Sequence, residues 1–163
     1  MKSWTQKLQG AEFRILRLQE VPLPVGTGPV DNPEACAEYL RQRLVNSQLY
    51  NPDVENFMGL YVNTRRRPIG FVLLSHGTLD TILVHPREVF KAAIVLNAAA
   101  VIVSHTHPSG DPSPSEADIK VTRDLIRAGQ LLKIELLDHI VLGHASEQNA
   151  RGYCSLRELG YFY

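Results

Sequence analysis

Neither sign of charge predominates in these 163 residues, because seventeen Lys and Arg balance seventeen Asp and Glu and the formal net charge is zero. A dedicated duplex-DNA binder carries a basic surface, and this chain lacks that electrostatic footprint. Cysteine is scarce as well. Cys36 and Cys154 stand far apart with no paired spacing, which reads as two reduced packing residues and not as a disulfide framework, with the cytoplasm as the default compartment. No apolar run reaches the length of a membrane span, so no membrane partner is expected. Met1 to Lys7 is not followed by an apolar core, so no signal peptide is read. Internal repeats and low-complexity tracts are also missing. A chain of this length fits one domain and buries about two-thirds of its unfolded surface.

What is present is an interleaving of strand and helix signals. Residues 12–20 alternate partly, with Phe13 and Ile15 apolar, and read as a strand. The stretch from Val21 to Pro29, broken by Pro22, Pro24, Gly26 and Gly28, reads as an arm laid over the body. Asn32-Pro33-Glu34 opens a helix, with Asn32 as cap, Pro33 at the first helical position and Cys36, Tyr39, Leu40 and Leu44 apolar; Asn51-Pro52-Asp53 ends it. Glu55 to Val62 and Ile69 to Leu74 read as strands joined by a polar loop. Arg65, Arg66 and Arg67 in that loop read as a solvated tip, and as the phosphate contacts if the protein meets DNA at all. A short strand over Thr78 to Val84 and a helix over Pro86 to Leu96 follow, then a buried strand over Ala98 to Val103 that ends at Ser104. Ser115 to Gln130 reads as a helix, Leu131 to Leu136 and His139 to Leu142 as strands, and the tail from Gly152 as a small strand with a helical turn. The sum is an α/β unit, a mixed β-sheet flanked by helices. Residues 1–31 form its N-terminal strand and arm and residues 32–163 its body.

The chemistry gathers where that central strand ends, in Ser104-His105-Thr106-His107-Pro108-Ser109-Gly110-Asp111-Pro112-Ser113-Pro114-Ser115-Glu116-Ala117-Asp118. Extended side chains alternate, so His105 and His107 project to one side, about 7 Å apart along the strand. Ser115 has the position of a helix N-cap and Asp118, three residues on, can return a hydrogen bond to it as in a capping box. A carboxylate in the first turn of a helix that begins beside the strand end is also well placed as a third ligand. Two neutral imidazoles, one carboxylate and an open position are the ligand set of a catalytic zinc. A metal-activated water needs a base that is not itself a ligand. Asp53, Glu55, Asp80, Glu88 and Asp138 all lie near strand ends, and spacing does not choose among them. His76 and His144 read as loop residues, and His85 as a structural residue at a helix start.

His-x-His, seven residues, Ser, two residues, Asp resembles the signature of the JAMM metalloproteases, or MPN+ domains. The extended form here, with Pro108-Ser109-Gly110-Asp111-Pro112, is similar to the RadC-like branch of that superfamily, as are Val84-His85-Pro86-Arg87-Glu88-Val89-Phe90-Lys91 and Leu137-Asp138-His139-Ile140-Val141. The resemblance covers roughly Glu55 to Tyr163. It implies a single JAB/MPN-like domain that binds Zn2+ through His105, His107 and Asp118 and hydrolyses an amide bond in a protein or peptide. It further implies Glu55 as general base, since Glu55-Asn56-Phe57-Met58-Gly59-Leu60 matches the family's base-bearing strand, and Ser115 as donor to the oxyanion. Asp138 and His139, at a strand start, are candidates to orient the ligands from behind, with an ordinary structural role for His139 as the commoner reading. The alternative that the resemblance carries is a DNA-associated factor of RadC type. Two departures stand out. Thr106 occupies a position where asparagine is expected, pointing away from the metal face. The N-terminal region does not resemble the helix-hairpin-helix module of full-length RadC proteins.

Overall fold

In the computed structural model, which describes residues 28–77, 84–147 and 149–163, the first element is helix α1, Pro33–Val45. The strand read over 12–20, most of the arm and the strand read over 78–84, apart from Val84, lie outside the described residues. Asn32 caps α1 as its position predicts, accepting a hydrogen bond from the Ala35 N–H at 2.8 Å. The helix stops well before Asn51-Pro52. Asn46 ends it by donating from its side chain to the Gln42 carbonyl at 2.7 Å, so the last turn is closed locally and residues 46–55 run as turns into the sheet.

Among the described residues five strands follow, β1 Asn56–Val62, β2 Pro68–His76, β3 Ala100–Thr106, β4 Glu135–Leu142 and β5 Tyr153–Ser155, in the spatial order β2-β1-β3-β4-β5. β1 lies antiparallel to both β2 and β3, whereas β3 and β4 are parallel, and β5 closes the far edge antiparallel to β4. A parallel pair needs a long crossover. That crossover is α3, Glu116–Leu132, while α2, Pro86–Val95, connects β2 to β3.

Alternation along β3 divides the core into two layers. Ala100 and Ile102 face α1 with Leu40, Leu44, Met58, Leu60 and Ile140. Val101 and Val103 face α2 and α3 with Phe57, Val89, Phe90, Ala93 and Leu125. Since β3 continues past Ser104 to Thr106, the same parity carries His105 onto the α3 layer and Thr106 onto the α1 layer.

Two strand readings need correction. Leu131 and Leu132 belong to α3, whose end is fixed by Lys133 in the left-handed conformation, φ 58°, with the Ile134 N–H donating back to the Gly129 carbonyl. β4 is then one continuous strand through Leu137 and Asp138, not two. Apolar residues at the seam between a helix end and a buried strand satisfy either period, and only the cap decides between them.

The loop after β3 is docked on the end of β4. The His107 N–H donates to the Leu142 carbonyl at 2.9 Å and the His144 N–H to the Gly110 carbonyl at 2.7 Å. Gly143 lies so close to this loop that a Cβ there would fall on the Gly110 carbonyl. Gly143→Ala should therefore cost about 1–3 kcal/mol of stability through forced overpacking, measured by urea unfolding. A wild-type midpoint for this variant would mean that the loop is free to shift.

Candidate metal centre

The register of β1 against β3 builds the site. Phe57 pairs with His105 across the two strands, so continuing both strands by two residues sets Glu55 opposite His107 on the same face. α3 begins over that face and supplies Asp118 from its first turn. One ligand atom from each of His105, His107 and Asp118 lies within 4.8 Å of the others. The His105 and His107 Nε2 atoms are 2.9 Å apart, His105 Nε2 is 3.2 Å from Asp118 Oδ1, and His107 Nε2 is 3.7 Å from Asp118 Oδ2. His105 is fully buried, whereas His107 and Asp118 keep an edge toward solvent, so the cluster opens outward on one side.

Each ring is held from behind. His107 donates from Nδ1 to the Asp111 carbonyl at 2.8 Å, which leaves its Nε2 turned toward the cluster. His105 Nδ1 is 2.8 Å from His139 Nε2, and His139 Nδ1 is 2.7 Å from Thr122 Oγ1. Asp118 completes a capping box: its Oδ2 accepts from the Ser115 N–H and from the Ser115 hydroxyl, each at 2.7 Å, while Ser115 Oγ accepts from the Asp118 N–H at 3.2 Å. Burial raises the energy of the Asp118 carboxylate, but the neighbouring His105 and His107 rings and the Ser115 hydroxyl outweigh it and hold the acid well below the usual carboxylate range. The Asp118 carboxylate beside it pushes His107 up despite its partial burial.

Among the carboxylates considered as base, Glu55 is the one the sheet brings here, its Oε1 4.0 Å from His107 Nε2. Asp53 is exposed in the turn before β1 and Glu88 in the first turn of α2, while Asp80 lies outside the described residues. The Ser115 hydroxyl is committed to Asp118 and must turn about one bond before it can face a substrate.

Asp138 and His139 part company. Neighbours on a strand face opposite ways, so while His139 meets His105, Asp138 turns to the α1 layer. There its carboxylate accepts from the Ser155 hydroxyl at 2.7 Å and the Arg157 N–H at 3.2 Å. It therefore does not orient the ligands; it ties β4 to the C-terminal turn, and burial pushes its pKa up. Cys36 lies in that layer too, its thiol pushed up to about 12 chiefly by burial, which leaves it inert as a nucleophile. His85 occupies the N-cap of α2 without a side-chain capping bond.

Two contributions escaped the sequence. Thr106 accepts from the Asn56 N–H at 3.0 Å and from its side-chain amide at 3.2 Å, and the same amide donates to the Val54 and Asn51 carbonyls. The residue pointing away from the cluster thus anchors the segment that carries Glu55. Thr122 is the other, one helical turn after Asp118, a spacing that sequence alone gives to any helical pair.

A family model described as a RadC-like JAB domain matches residues 30–161. The chain belongs to the RadC-like JAB family. Similar relatives bear it out: a UPF0758 protein of Symbiobacterium thermophilum is 41% identical over 145 residues, covering 89% of this chain and 57% of its own length. One from Shouchella clausii is 43% identical over 149 residues, covering 91% and 58%. A third, from Moorella thermoacetica, is 52% identical over 91 residues, covering 56% and 40%. The chain spans a little over half the length of the first two.

For a RadC-like JAB domain the donor set fits a metal ion. Bonds of about 2.0–2.2 Å to a tetrahedral ion hold ligand atoms roughly 3.3–3.6 Å apart; the imidazole nitrogens here are 2.9 Å apart, Asp118 reaches one ring at 3.2 Å through Oδ1 and the other at 3.7 Å through Oδ2, and one atom from each residue falls within 4.8 Å of the others. The purified domain should accordingly carry about one divalent ion per chain. His105→Ala or His107→Ala should empty the site, and Asp118→Asn should weaken it by removing the anionic ligand. Full metal content in both histidine variants, read by elemental analysis, would refute the ligand set.

Proposed function

We propose that this RadC-like JAB domain is a zinc-dependent hydrolase of amide bonds, acting on a protein or peptide as a peptidase or isopeptidase. The observation that carries the reading is a carboxylate beside the ligand trio but outside it: Glu55 Oε1 is 4.0 Å from His107 Nε2, whereas the two imidazoles and Asp118 converge more closely on one another. His105, His107 and Asp118 would hold the ion, which when bound acts as a Lewis acid that polarises a carbonyl and makes water a better nucleophile. The remaining chemistry is the protein's own. Glu55 takes the proton of the attacking water and returns it to the leaving amine, so one carboxylate serves as base and then as acid. Its place is kept by the Gly77 N–H donating to its backbone carbonyl at 2.8 Å and by the Asn56–Thr106 anchor next to it. Ser115, at the exposed edge, turns its hydroxyl from Asp118 to the developing oxyanion, a contribution of up to about 3 kcal/mol in comparable sites. The buried side behind His105 is closed by Phe57, whose ring stacks on the imidazole at 6.1 Å, so substrate approaches from the side of Glu55 and Ser115.

Glu55→Gln tests this directly. The variant should keep its metal and its thermal stability, because no ligand is removed, yet lose about 10²- to 10⁴-fold in turnover. Zinc content and cleavage of a peptide and isopeptide library, measured in parallel, decide it. Wild-type turnover by the variant would end the assignment of Glu55 as base.

A further inference from the structure

We propose that Thr122 and His139 are positioning residues that fix which ring nitrogen of His105 is offered to the metal; this rests on reading His105 as a ligand. One group in this chain of contacts, the Asp118 carbonyl, cannot donate. Thr122 Oγ1 lies 2.6 Å from the Asp118 backbone carbonyl and 2.7 Å from His139 Nδ1. A hydroxyl has one proton, and a carbonyl oxygen has none, so the proton of Thr122 must point at Asp118; otherwise two oxygens would face each other at 2.6 Å with nothing between them. Thr122 therefore accepts from His139, and His139 carries its proton on Nδ1.

The direction propagates. The ring of His139 is fully buried, in edge contact with Phe57, and its hydrogen-bonding partners are a hydroxyl and an imidazole. A cation in that position would be buried without a bonded anion, so the ring is neutral and its Nε2 is a lone pair. His105 Nδ1, 2.8 Å away, must supply the proton of that contact. His105 Nε2 is thereby left bare, and this is the atom that faces His107 and Asp118.

The chain runs from a backbone carbonyl through a hydroxyl and an imidazole to a ligand, and every link has one possible polarity. Its starting point is also telling. The carbonyl that sets the polarity belongs to Asp118, the residue whose side chain is itself a ligand, so one turn of α3 both supplies a ligand and dictates the protonation pattern of another. Hydrogen bonds to the far nitrogen of a metal-binding histidine typically govern metal affinity by about 10- to 100-fold.

The experiment compares wild type, Thr122→Val and Thr122→Ser. Zinc affinity is measured by competition with a chromophoric chelator, and the protonated nitrogen of each buried ring is read in the metal-free protein by ¹⁵N NMR with labelled histidine. In wild type, His105 and His139 should both carry the proton on Nδ1. Thr122→Val keeps the shape and removes the hydroxyl, and should weaken zinc binding by about 10- to 100-fold while letting both rings mix tautomers. Thr122→Ser keeps the hydroxyl and loses the methyl, and should restore affinity and tautomer. A packing role for Thr122 predicts the reverse order, with serine the worse variant. Equal zinc affinity and equal spectra in all three, or a His105 proton on Nε2 in wild type, would overturn the proposal. Failure of the wild type to bind zinc at all would instead overturn the ligand reading, and this proposal with it.

Discussion

The docking of α3 against the end of β3 is the contact on which the rest depends. Asp118 sits where helix, strand and loop meet. Its carboxylate closes the capping box with Ser115 and lies against both imidazoles, and its carbonyl receives Thr122. The apolar layer of Val101, Val103, Leu125 and Phe90 sets the distance between α3 and the sheet, and burial there supplies the free energy that holds polar groups in a convergent arrangement. Three titratable groups, one fully and two largely buried, are costly to assemble this close without compensation. Here the compensation is distributed among backbone groups that the fold had to satisfy anyway, the helix N-terminus and the loop carbonyl of Asp111.

Much of this could be read from the residues because the motif is local. A period of two puts His105 and His107 on one face whatever the sheet around them, and Ser115 with Asp118 announces a helix start by chemistry that belongs to the first turn. Asn32 and Pro33 marked the start of α1 in the same way. What was not legible depends on tertiary distance. Nothing in the spacing of Asp118 and Thr122 separates them from any other pair one helical turn apart, and only the packing of α3 on β4 brings the hydroxyl to His139. Asp138 shows the opposite error: adjacency to His139 in sequence suggested a shared task, yet adjacency on a strand guarantees opposite faces. The strand placed over Leu131 to Leu136 failed because a left-handed cap at a lysine carries no signal comparable to that of a glycine.

Thr106 illustrates a related point about parity. Its side chain cannot reach the cluster, since His105 and His107 on either side of it take that face. Pointing the other way, it binds across the sheet to Asn56, the residue that follows Glu55 in the chain. A residue between the two histidines of the cluster thus anchors the strand start that carries Glu55, and β1 and β3 are locked in register at the end where a slip would separate Glu55 from His107.

The single carboxylate among the ligands has a consequence for charge. On the proposed reading, two neutral imidazoles and one aspartate would leave a divalent ion with one net positive charge, and the Glu55 carboxylate would bring the pocket to zero. A proton taken by Glu55 would then leave the pocket singly positive, at the moment a carbonyl under attack became singly negative. Pocket and reacting group together would stay neutral throughout, so no step would require a counter-ion to enter or leave. A second carboxylate ligand in place of either histidine would forfeit that balance by facing the incipient oxyanion with no positive charge at all.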